Sequence, residues 1–165
     1  MTIGSALSVS GTLTIPTGSI IPNDLLASTG SSWAWQSWSP TWTNLTVGNG
    51  TVTALYTQIG KVVFLQLTFV LGSTSIMSSH TSPLFSLPVT SDASAPYQSA
   101  QGACWFVHSG SPYLGQSQIY DSTDGTMYYY SIVSSTVQTA SLTTTAPFTW
   151  ANGDILEINM TYRAA

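Results

Sequence analysis

Charge is what this chain has least of. Only 5% of its 165 residues are charged, with Lys61 and Arg163 the only cations against six carboxylates. An ordinary globular domain carries about 25% charged residues. Binding along a phosphate backbone needs several Lys or Arg, so two cations and a net charge of −4 exclude nucleic acid as a partner. Cysteine is nearly missing as well. Cys104 stands alone, which excludes an intramolecular disulfide and is compatible with a reducing folding environment. Long apolar runs are missing too: the longest, residues 62–71, is broken by Gln66 and Thr68 and is far too short to cross a bilayer. The start, Met1-Thr2-Ile3-Gly4, has neither a basic region nor a sustained apolar stretch, so no secretory signal is expected.

Hydroxyl residues fill the gap left by charge. Serine and threonine number 26 and 24, so the solvated faces must be hydroxyl-rich. Such a neutral surface packs readily against copies of itself. At this length the body can bury a core without disulfides or metals.

Strand formers dominate, and the expected fold is all-β: an antiparallel β-sandwich or jelly-roll-like body, residues 33–165, behind an extended N-terminal arm, residues 1–32. In the arm Leu7, Val9, Leu13 and Ile15 recur with period two, the pattern of an extended strand, and are the expected docking residues. Pro16, Gly18 and Pro22 punctuate the next stretch, and Asn23 could cap one helical turn over 23–26. An isolated strand has no partners for its backbone groups, so the arm needs a host surface, such as the edge of another sheet.

The body opens on four tryptophans, Trp33, Trp35, Trp38 and Trp42. Residues 41–47 read as a strand, Gly48-Asn49-Gly50 as a hairpin turn, and 51–58 as the returning strand. In 61–71 one face carries Val63, Leu65, Leu67, Phe69 and Leu71, and the other carries Val62, Phe64, Gln66, Thr68 and Val70. A strand apolar on both faces lies centrally or at a subunit contact. Further strands are expected at 83–89, 100–108, 113–120, 126–133 and 154–162, with a turn at 121–125 joining two of them. Short strands between Gly, Pro, Asn and Asp punctuation indicate a sandwich or jelly roll.

Chemistry finds little support. Cys104 and His108, four apart in a strand, could share a face, but a metal site needs three or four converging ligands and a catalytic cysteine needs a base. A buried thiol and a turn-side histidine are expected instead, with His80 in a loop. Asp92, Asp121, Asp124 and Asp154 all sit beside Gly, Ser or Thr, where a carboxylate bonds nearby backbone N–H groups. A calcium cage at Asp121 and Asp124 would need six to eight oxygen ligands, and the loop is short. No nucleophile elbow, Walker loop or His-Glu-x-x-His motif occurs. No catalytic residue, metal or cofactor is therefore expected. Asn-x-Thr triplets at Asn44, Asn49 and Asn159 read as chance matches in a threonine-rich chain. Aromatic faces can stack on sugar rings, and Tyr128 and Tyr130 share one side of their strand, so they form a candidate glycan contact. Trp33, Trp35 and Trp38, with Val62, Phe64 and Val70, are expected to staple the arm or fill a subunit seam.

The run Pro40-Thr41-Trp42-Thr43, then Gly48-Asn49-Gly50-Thr51, then Tyr56-Thr57-Gln58-Ile59-Gly60-Lys61-Val62-Val63 resembles a β domain of tail and fibre proteins of tailed bacteriophages. The likeness continues through Leu71-Gly72-Ser73-Thr74-Ser75, Ser86-Leu87-Pro88-Val89 and Trp150-Ala151-Asn152-Gly153-Asp154. Where that family shows a Gly-polar pair before the tyrosine, this chain has Ala54-Leu55. The segment 15–27 is similar to stalk segments of phage appendages. The motif marks turns and strand starts and transfers no catalytic residue. The resemblance implies a structural protein on the virion surface, a homotrimer partnered by capsid or tail proteins. Family habit favours a tail appendage that binds a host receptor or cell-surface glycan. A short arm without a shaft favours a head decoration or head fibre, which is the expectation here. A secreted carbohydrate-binding module is the reading outside that class.

Overall fold

A computed structural model of the chain describes residues 34–78, 80–92 and 102–165. The arm with Leu7, Val9, Leu13 and Ile15, the helical turn at 23–26 and Trp33 lie outside the described residues. The rest is all-β and antiparallel throughout. The strands are β1 Gln36–Ser37, β2 Trp42–Thr43, β3 Leu45–Thr46, β4 Thr51–Ile59, β5 Val62–Val70, β6 Ile76–Met77, β7 Leu84–Ser86, β8 Gly102–His108, β9 Ser111–Ile119, β10 Asp124–Val133, β11 Thr136–Ser141 and β12 Ile155–Arg163. One curled sheet runs in the order β1-β4-β5-β12-β8-β9-β10-β7-β2, with β11 paired to β10, and β3 and β6 form a small separate sheet.

The curl follows from period-two patterning. Leu65, Leu67 and Phe69 of β5 face Met160, Ile158 and Leu156 of β12, and all six are buried on the concave side. Cys104 and Phe106 of β8 extend that layer, and Phe85, Met127 and Leu142 close it from the far half of the sheet. Trp42 brings the halves together, its ring 5.8 Å from Phe69 and 6.0 Å from Phe85.

Residues 36–43 join the two ends of the sheet. β1 pairs with β4 at one end and β2 with β7 at the other. Between them the Trp38 amide donates to the Ala54 carbonyl (3.2 Å), and the Ser86 amide donates to the Thr41 carbonyl (2.9 Å). The Trp38 indole N–H donates to the Ser86 carbonyl at 3.3 Å. A single segment that switches between the ends of a curled sheet covers part of each as an edge.

The structure departs from two of the expected elements. The strand expected over 41–47 is two short strands in different sheets, broken at Asn44, whose φ is 63°. Gly48-Asn49-Gly50 is consequently no hairpin turn, because β3 pairs with β6 while β4 pairs with β5. It is a corner. Gly48 supplies a φ of 58°, the Gly50 amide closes the turn on the Val47 carbonyl, and the Asn49 side chain ties it to Ser73 and Thr74. A β-carbon on Gly50 would lie 2.5 Å from the Phe69 ring, which explains glycine at that corner.

Candidate functional site

The convex face of the sheet carries the candidate surface. Register places Val62, Phe64, Gln66, Thr68 and Val70 of β5 beside Arg163, Thr161, Asn159, Glu157 and Ile155 of β12. The same rows continue through Ala103, Trp105 and Val107 of β8 and Gln116, Leu114 and Pro112 of β9. Val62, Phe64, Trp105 and Leu114 are exposed, and Val70 is half-buried within the row Val70, Ile155, Val107 and Pro112. The two faces of β5 expected from its alternation are thus both present, one as core and one as this surface.

The tryptophans grouped in sequence separate in space. Trp42 belongs to the core edge, and Trp38 is half-buried with its ring edge-on to Tyr56 at 6.1 Å. Trp35 is exposed, and it walls a groove of about 330 Å³ with Phe64, Gln66, Asn159 and Thr161, floored by Leu65, Gly102 and Met160. The groove has an aromatic wall, two side-chain amides and no charged lining residue. Its floor is tight: a β-carbon at Gly102 would collide with the Asn159 carbonyl oxygen.

Tyr128 and Tyr130 share a side of β10, as the alternation requires. Tyr130 is exposed, and its hydroxyl lies 3.2 Å from the Gln116 amide oxygen, to which it donates. Tyr128 is half-buried in a smaller hollow with Tyr120, Thr126 and Ser141. They share a side without forming one equally exposed platform.

The groups with reactive potential are taken up by structure. Cys104 is fully buried, and burial pushes its thiol up to about 12. His108 lies on the same face of β8 but two pairs further along, stacked on Phe148 at 4.7 Å between ring centroids. Its Nδ1 lies 3.0 Å from Oδ2 of Asp154, whose carboxylate also accepts the Ala151 amide at 2.7 Å. Asp121 Oδ1 accepts the amides of Thr123 and Asp124, each at 2.8 Å, as a turn carboxylate should. Burial works against its charged form, but those amides and the Thr123 hydroxyl outweigh it and lower its pKa. Asp92 pairs with Arg163 at the end of β12. Among the described residues no three His, Cys, Asp or Glu side chains converge as a metal site would require.

Sequence reasoning missed Trp105 and Leu114. The signal was available: in β8 both alternate sets, Ala103-Trp105-Val107 and Cys104-Phe106-His108, are largely apolar, the same signature that marked β5. Compared with protein-family models, curated proteins and solved structures, the chain matches none.

Proposed function

We propose that the chain is a non-enzymatic structural protein of a tailed-phage virion, displayed on the particle surface as a homotrimer, with residues 1–32 docking it to the head. The observation that carries this reading is the convex face. Val62 and Phe64 on β5 and Trp105 and Leu114 on β8 and β9 are two exposed apolar pairs on one face, with the Gln66–Asn159–Ala103–Gln116 row between them and Glu157 and Arg163 as the only charged side chains of the paired rows. Exposed apolar side chains grouped on one face with so few charges support a surface that another molecule covers. The likeness of residues 40–63 to phage tail and fibre domains supports the virion as the setting.

One observation favours a second reading, a tail appendage that binds a host glycan. The Trp35 groove offers an aromatic wall beside the amides of Gln66 and Asn159, the mixture of apolar and hydrogen-bonding groups that sugars require.

The test is deletion of residues 1–27 in cells that assemble the particle. The shortened chain should remain folded and oligomeric yet be missing from purified particles. Incorporation at full occupancy would show that the arm is not the anchor.

A further inference from the structure

Among the described residues the strand β11 is an open edge. Among the described strands it pairs only with β10. Natural sheets protect such edges with lysine, proline, a bulge or extreme shortness. β11, Thr136-Val137-Gln138-Thr139-Ala140-Ser141, has none of these over its six residues. The ends of the main sheet are treated differently: β1 and β2 have two residues each and are joined through residues 38–41.

Register decides which groups are open. Ser134 and Ser135 both have positive φ, 50° and 66°, so β10 and β11 are joined by a two-residue type I′ turn. In such a hairpin the pair flanking the turn, Val133 and Thr136, exchanges hydrogen bonds, and alternate pairs do the same. Ser131–Gln138 and Tyr129–Ala140 are therefore bonded pairs. Val137, Thr139 and Ser141 turn their amides and carbonyls away from β10. The hairpin also outruns its neighbours. The pairing of β9 with β10 ends at Tyr129, so residues 130–139 form a two-stranded ribbon with Ile132 78% and Val137 64% exposed. A bare ribbon of this kind is marginal in water.

We infer that a second copy of this chain pairs with this edge, β11 against β11 in antiparallel register about a two-fold axis at Thr139. The strand suits itself. Thr139 would face Thr139, Gln138 would face Ala140, and Val137 would face Ser141. Cross-strand threonine pairs are favourable, whereas like charges on an axis are not. No charged residue occurs anywhere from Gly125 to Gly153, so self-pairing sets no like charges together. The three outward residues of each copy contribute one donor apiece, giving about six new backbone bonds. The contact continues the sheet and extends the Ile132–Val137 face into the partner. It lies away from Val62 and Phe64, so it joins chains through a surface separate from the one proposed for the trimer, and it does not depend on the virion reading.

The test uses the full chain with two substitutions, Thr139→Lys and Thr139→Pro. Lysine places like charges on the axis. Proline removes only an amide that points away from β10, so the hairpin keeps its own bonds. Circular dichroism and thermal melting check that each variant is folded. Sedimentation velocity and native mass spectrometry should show a wild-type species of twice the mass of the variants' largest, with at least about tenfold weaker pairing in both variants. A Phe64→Ser variant should keep the twofold step while losing the other association. Hydrogen exchange should show the Val137, Thr139 and Ser141 amides protected in wild type as concentration rises and open in the variants. Identical mass distributions for wild type and both variants would overturn the inference. So would protection of these amides in dilute, monomeric wild type, because another segment of the same chain would then cover the edge.

Discussion

Phe69 and Phe64 lie on the same strand and face opposite ways, so truncating each to alanine measures the two sides of β5 separately. Phe69 is 0% exposed and packs on Trp42, whereas Phe64 is 37% exposed on the convex side. Phe69→Ala forfeits the whole transfer free energy of a buried ring and leaves a cavity between the halves of the sheet. The expected loss is about 3–5 kcal/mol. Phe64→Ala forfeits about two-thirds of the transfer free energy at most and opens no closed cavity, so about 1–2 kcal/mol is expected. The assay is urea unfolding at a protein concentration low enough to keep the chain monomeric. Equal slopes for the variants would license comparison of their midpoints. Association adds a second readout. Native-state partners raise stability with concentration, so the wild-type Tm should climb on concentration and the Phe64→Ala Tm should climb less. A Phe64→Ala loss as large as that of Phe69→Ala, with no change in concentration dependence, would refute the division into core and contact face.

Three further outcomes are expected. Gly102→Ala should destabilise by about 2–3 kcal/mol, because its β-carbon would collide with the backbone of Asn159 and Met160 rather than with a yielding side chain; thermal melting measures it. Cys104 should resist iodoacetamide at pH 8 and react only on unfolding, since its thiol is pushed up to about 12; intact-mass spectrometry with and without denaturant checks this. Asp121→Asn should cost under about 1 kcal/mol at pH 7, the carboxylate being largely solvent-facing. The folded-state pKa of Asp121 is lowered, so its contribution is present above the unfolded carboxylate range and is lost as pH falls through the folded value. The gap between wild type and variant should therefore close in acid, as urea titrations at both pH values will show.

The fold was legible where alternation was strong. β4, β5, β8, β9, β10 and β12 all stand close to their expected positions, because each carries a buried alternate set that only one register can satisfy. β11 was missed for two reasons. Its turn is Ser134-Ser135, without the glycine or asparagine that usually marks positive φ, and its residues are exposed on both faces, so no alternation is imposed. The break at Asn44 was equally silent, since a strand that changes sheets keeps its strand-like composition. At the candidate surface, Val62 and Phe64 were readable from two-sided β5, but the Trp35 groove was not. That groove depends on β12 lying beside β5 and on Gly102 entering beside Asn159, neighbours fixed by strand order rather than by local pattern.

A place on the virion surface is tested most directly by locating the chain on intact particles. Electron cryomicroscopy of purified particles, with and without the gene for the chain, should give difference density for a β body at repeated positions on the outside of the head. Mass spectrometry of the same particles should contain its peptides. Difference density confined to the tail would move the protein to the receptor-binding reading, and absence from purified particles would contradict the proposal outright.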